Sequence, residues 1–189
     1  MNTPAHLLFA AGAFAKPDSP KITAAAMIGG LFPDLSLYLM AIFSLTILGN
    51  SPAYVFDVQY YSNAWQQIFA IDNSFILWGI LCATALWLKK PWLIAFAGGA
   101  LLHLALDFPL HHDDARQHFW PISDWVFESP YSYWDSNHHG TMISAIEQIM
   151  VVGVLALLWH RFKSIKMRAF FTAITLLQIA PFIIFGLMF

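Results

Sequence analysis

Runs of apolar residues, long and almost free of charge, dominate the chain and are separated by short polar joints. Four of them, 22–48, 74–88, 91–108 and 141–159, are long enough or nearly long enough to cross a hydrocarbon core, which takes about 20 helical residues. A fifth, 169–189, closes the chain. Run 74–88 is the shortest and needs its flanks to complete a crossing. An earlier run, 4–15, has Thr3 placed as an N-cap and Pro4 at the first helical position, and Lys16-Pro17 stops it. A helix over that run rises only about 18 Å, so it must be tilted, partly inserted or extended by its flanks. Nothing basic precedes it, which argues against a secretory signal peptide. The pattern predicts an all-α, polytopic helical membrane bundle with about five transmembrane helices plus a short N-terminal helix. Residues 1–189 form a single integral membrane domain in this reading.

Composition strengthens that reading. Only 11% of residues are charged against 59% hydrophobic, whereas a soluble domain carries about a quarter charged residues. The net charge of −2 and the absence of a basic stripe exclude a nucleic-acid partner. A single cysteine, Cys82, excludes a disulfide framework and a thiolate zinc site. Charge placement predicts orientation. Lys16 and Lys21, then Lys89 and Lys90, then Arg161, Lys163, Lys166 and Arg168 fall in three joints on one side, leaving only Arg116 for loops 49–73 and 109–140. The positive-inside rule makes the basic side cytoplasmic and the two long loops external. Trp87, Trp92 and Trp159 flank the basic side, and Trp65, Trp120, Trp125 and Trp134 lie in the outer loops, as interfacial anchors do. Loop 49–73 reads as an interfacial amphipathic lid.

The chemistry concentrates in one region. Of 8 histidines, six fall between residues 103 and 139, interleaved with carboxylates. Histidine with carboxylate is the ligand set of zinc, manganese or iron. His103 and Asp107 are four apart on a helix and share one face, close enough to chelate one ion. Asp34 follows Pro33 inside run 22–48, where proline is expected to break the helix and line a polar cavity. Glu147 lies inside run 141–159 and His6 in the first turn of the N-terminal helix. Rise per residue places His6, Asp34, His103 and Glu147 in one layer, and ionisable groups at membrane depth are costly enough to mark a shared site. Pro109 ends the third long run and lets His111 and His112 fold over its mouth. Arg116, the one outer cation, suits a phosphate oxygen. His139 and Glu147, about two turns apart, cannot share an ion on an unbroken helix; either the helix starts after Gly140 or their roles differ.

Four motifs, Thr3-Pro4-Ala5-His6-Leu7-Leu8, Gly30-Leu31-Phe32-Pro33-Asp34, His103-Leu104-Ala105-Leu106-Asp107 and, more loosely, His139-Gly140-Thr141, resemble the YdjM-like family of membrane-bound metal-dependent hydrolases. That family is in turn similar to the zinc-dependent bacterial phospholipases C. The resemblance implies metal ligation by His6, Asp34, His103, Asp107 and either His111 or His112, with His139 in the looser motif; the expected location of the chain is a bacterial cytoplasmic membrane. No histidine precedes Glu147 by four residues, so the phospholipase His-x-x-x-Glu pair is missing.

The expectation is a hydrolase of a phosphoester in a lipid or polyprenyl substrate, with a divalent metal, zinc before manganese or iron, at a site open to the outer face. Glu147 or Asp113 is the expected general base, and His118 or Arg116 steadies the leaving group or phosphate. A divalent-metal transporter is the first alternative, disfavoured because 91–102 offers no polar side chain toward the basic side. A non-catalytic membrane protein with a structural metal is the second.

Overall fold

A computed structural model describes residues 1–188, with side chains through Pro181. Among the described residues, seven helices of ten residues or more form it: α1 (Thr3–Phe14), α2 (Pro20–Thr46), α3 (Asn63–Asp72), α4 (Phe75–Trp87), α5 (Pro91–Asp107), α6 (Gly140–Arg161) and α7 (Ile165–Met188). No strand occurs among the described residues. Three stretches are long and apolar enough to cross a membrane: Pro20–Thr46, Gly140–Arg161, and Asn63–Trp87, in which α3 supplies the length that α4 lacks. Helices α1 and α5 are shorter apolar helices. The fifth expected crossing, 169–189, ends in side chains outside the described residues.

The bundle is inside out relative to a soluble protein. Leu39, Ile42, Phe43, Ile80, Ile149 and Val152 are exposed, while the interior is rich in alanine and glycine. Large continuous apolar exposure is what a lipid-facing surface presents. Small interior residues let helix backbones approach without a hydrophobic driving force between them. Helix α1 sits in the middle, with Ala5, His6, Leu8, Ala10 and Ala11 essentially inaccessible. A helix apolar on every side is buried on every side. Its short length therefore makes it a core element packed on α2, α5, α6 and α7.

Glycines fix the crossings that matter. A Cβ at Gly29 would lie 2.0 Å from the Phe96 carbonyl oxygen, one at Gly99 2.5 Å from the Ala26 carbonyl oxygen, and one at Gly30 2.8 Å from the His6 carbonyl oxygen. Backbones of α1, α2 and α5 thus meet at one level. Pro33 does not break α2, contrary to expectation: the helix runs unbroken through it. Proline removes one N–H and crowds the carbonyl four residues back, and here the packed neighbours hold that distortion inside the helix. The Gly30 carbonyl accepts from the side chain of His103 (2.8 Å), and the Pro33 carbonyl from Asn73.

Candidate metal centre

Three helices deliver the site. His6 comes from α1, Asp34 from α2 one residue after Pro33, and His103 and Asp107 from the last turns of α5. His111 follows on the turn that leaves α5. The Asp107 carboxylate is the focus: His6 Nε2 lies 2.9 Å from Oδ1, and His103 Nε2 and His111 Nε2 each lie 3.2 Å from Oδ2. The Met1 amino group also contacts Oδ1. Asp34 Oδ1 is 3.6 Å from His103 Nε2, and its other oxygen accepts from Thr3 Oγ1. The rings of His6 and His103 stack at 3.6 Å.

The histidine–carboxylate contacts are at ion-pair distance without hydrogen-bond geometry, and His111 Nδ1 likewise lies 3.0 Å from Asp114 Oδ2. Both ring nitrogens of His6, both of His111 and Nε2 of His103 are buried with no hydrogen-bond partner. Buried polar atoms normally find one, because leaving them unpaired costs about 1–3 kcal/mol each. The tautomer of His103 follows from its surroundings: Nδ1–H donates to the Gly30 carbonyl, so Nε2 directs a lone pair at two carboxylates. Lone pair against carboxylate is repulsive unless a cation lies between them or a proton on Nε2 makes the ring an imidazolium, and a bound divalent ion meets that need for several rings at once. One ligand atom each from His6, His103 and Asp107 lies within 4.8 Å of the others, so this trio can hold a metal ion.

A cavity of about 110 Å³ opens beside the cluster, lined by Asp34, Asp107, His111, Asp114, Arg116 and Tyr133 among others. Arg116 is buried, donates from Nη2 to the Tyr60 hydroxyl and lies against the rings of Tyr60 and Phe69 at 4.7 and 4.2 Å. Its Nη1 has no partner. A smaller recess, lined by Asp107, His111, Arg116 and His118, adjoins this wall. His118 is buried, and its Nδ1–H donates to the Asn73 carbonyl, leaving Nε2 as an acceptor. Burial pushes the His118 pKa down to about 4, a shift that the Asn73 bond only partly opposes. The ring is therefore neutral at pH 7.

The other residues singled out from sequence lie elsewhere. Glu147 is buried but lines neither cavity. Its carboxylate accepts from the Asn2 backbone N–H (2.9 Å) and from Gln178 (3.0 Å), so it ties the start of α1 to α6 and α7. His112 turns away from His111 and joins Asp113 and His138 in a separate group, because consecutive residues on an irregular segment point in different directions. That placement also removes Asp113 from the buried cluster. His139 is exposed, adopts a left-handed conformation (φ 64°) and packs on Tyr131. Helix α6 starts at Gly140, where a Cβ would strike the Asp135 backbone at 2.6 Å, so His139 and Glu147 do not share one helix.

The sequence marks none of Asn73, Tyr60 and His138 as a site residue. The first two carry no motif and come from distant turns. His138 stands three residues after Asp135, and that spacing is a signal for a carboxylate-anchored histidine. Comparison with protein-family models, with curated proteins and with solved structures finds no match for this chain.

Proposed function

We propose that the chain is a membrane-embedded, metal-dependent hydrolase of a phosphoester carried by a lipid or polyprenyl substrate. In this reading it spans a bacterial cytoplasmic membrane five times and opens its cavity to the outer face. One observation carries the reading: unpartnered imidazole nitrogens converge on Asp107 beside a buried arginine whose Nη1 is also unpartnered. The first arrangement suits a divalent cation and the second an anionic oxygen, and a phosphoester hydrolase needs both. The YdjM-like resemblance points the same way.

His6, His103 and Asp107 would hold the ion, with Asp34 and His111 within reach as further ligands. An all-nitrogen-and-oxygen set suits zinc, manganese or iron. A divalent ion held there would supply a more acidic water and a polarised ester oxygen. Arg116 binds a non-bridging phosphate oxygen through Nη1, held in aim by Tyr60 and Phe69. His118, neutral and with Nε2 free to accept, would take the proton from the water that adds to phosphorus as the phosphorus–oxygen bond to the alcohol breaks, and would return it to the departing alkoxide; the sequence had suggested Glu147 or Asp113 for the base. The backbone bond to Asn73 holds its ring in that tautomer.

The test combines metal content with turnover on a panel of lipid and polyprenyl phosphoesters, using full-length protein in detergent. His103→Ala and Asp107→Asn lose the buried-site ion and all turnover. Arg116→Gln keeps the ion but loses about 10²–10³-fold in turnover, as removal of one charge-stabilising donor does. Metal-loaded wild type that hydrolyses nothing on the panel would overturn the enzymatic reading in favour of a metal-binding scaffold.

A further inference from the structure

The segment between α5 and α6 carries a second group of ligand-type side chains, formed by His112, Asp113 and His138. Each offers one ligand atom, and these atoms all lie within 4.8 Å of one another. The two imidazole rings stack at 3.7 Å, with 26° between their planes. His112 Nε2 is 3.8 Å from Asp113 Oδ1. None of the three lines the cavity beside Asp107.

Both histidines are held through Nδ1. His112 Nδ1–H donates to the Ser129 carbonyl at 2.7 Å, and His138 Nδ1–H donates to Asp135 Oδ2 at 2.6 Å. Asp135 is itself fixed, its other oxygen accepting from the Asn137 backbone N–H at 2.9 Å. In the neutral ring each Nε2 consequently carries the lone pair. A carboxylate or carbonyl on Nδ1 is the arrangement that orients a metal-binding histidine and raises the basicity of the other nitrogen. Two rings stacked face to face in this way have no hydrogen-bonding reason to be neighbours. A shared cation supplies one.

We propose that His112, Asp113 and His138 form a second divalent-metal site that staples the His112 turn to the segment leading into α6. Two nitrogens and one carboxylate oxygen suit zinc, with copper(II) and nickel(II) as chemical competitors. The site is partly exposed, with side-chain accessibility of 30% at His112 and 52% at Asp113, so it exchanges its ion with solution. His111, one residue before the proposed ligand His112, belongs to the buried cluster. An ion bound by His112 and His138 therefore steadies the turn that presents His111 to Asp107. Nothing in this inference requires the buried centre to be catalytic.

The experiment is zinc titration of chelator-stripped, full-length protein in detergent, read by isothermal calorimetry and by bound metal after desalting. Wild type should bind two ions, and His103→Ala/Asp107→Asn one. His112→Ala/His138→Ala should also bind one, with the buried-site ion retained. Asp135→Asn keeps all three ligands and should weaken only the exchangeable ion, by about 10–100-fold. That variant separates a positioning effect from misfolding, because the buried ion reports an intact fold. A single wild-type ion lost only with His103 and Asp107 would overturn this proposal and leave the buried centre standing. A single ion lost only with His112 and His138 would uphold it and overturn the buried centre. Unchanged affinity in Asp135→Asn would also count against it.

Discussion

Burial decides the protonation of His118. Its ring is enclosed by Phe75, Phe108 and the Asn73 carbonyl, and its pKa is pushed down to about 4, from an ordinary value of 6.5. Above pH 6.5 the ring is neutral in folded and unfolded chains alike, so it contributes no pH dependence there. Between 6.5 and about 4 the unfolded chain binds a proton that the folded chain refuses, and stability falls as the pH drops. The full effect corresponds to about 3 kcal/mol. Thermal unfolding in detergent across that window should show wild type losing stability toward acid more steeply than His118→Asn, which keeps a donor for Asn73. Parallel curves would mean that His118 accepts its proton as readily in the fold as in the unfolded chain. Arg116 is the contrasting case, a permanent charge kept buried by two aromatic faces and one hydroxyl. It keeps one donor unspent.

At the level of helices, the candidate metal centre is assembled because three backbones come unusually close. Gly29 and Gly99 let α2 and α5 touch backbone to backbone, and Gly30 does the same for α1. Without that approach the Gly30 carbonyl could not reach His103, and the tautomer that aims Nε2 at Asp34 and Asp107 would be lost. Gly29→Ala places a methyl 2.0 Å from a backbone oxygen that no side-chain rotation can clear. Overpacking of this kind typically costs about 1–3 kcal/mol and occasionally more. Gly29→Ala should therefore lower the melting temperature and release the buried ion together. Gly79→Ala in α4, where nothing lies within 4 Å of the added methyl, should be neutral or slightly stabilising. Equal behaviour of the two variants would show that the α2–α5 crossing tolerates separation.

For the molecule as a whole, charge and chemistry occupy opposite ends of the bundle. Arg161 donates to the carbonyls of Ala11 and Ala15 at the end of α1, Lys21 lies 4.7 Å from the Trp92 ring, and Arg168 donates to Trp159 and Phe162. The three basic joints thus gather at one end, away from the long segment that carries His111, Arg116 and His118. In the proposed orientation the basic end is cytoplasmic. In a Cys82→Ala background, cysteines at Ser62 or Ser123 should react with an impermeant thiol reagent applied to intact cells, and one at Ser164 should not. Labelling confined to Ser164 would invert the topology and move the cavity to the cytoplasm.

Apolar runs, their spacing and the placement of Lys and Arg are one-dimensional properties, and from them alone come the helical class, the approximate helix boundaries and the grouping of cations. The i, i+4 pairing of His103 with Asp107 is equally local, since helix geometry puts both on one face. Their neighbours were not legible in this way. That His111 and not His112 faces Asp107 depends on how the chain leaves α5. That Glu147 binds Asn2 and Gln178 depends on where α1 is inserted between α6 and α7. The continuity of α2 through Pro33 depends on the helices packed around it. His118 and Arg116 acquire their neutral ring and unspent donor only from walls contributed by Asn73, Tyr60 and Phe69, residues distant in sequence and without motif. Periodicity specifies which side of a helix a residue occupies. Burial, tautomer and the identity of a partner are set by which other backbones approach that side, and here the approach is governed by glycine crossings whose partners only the packed bundle assigns.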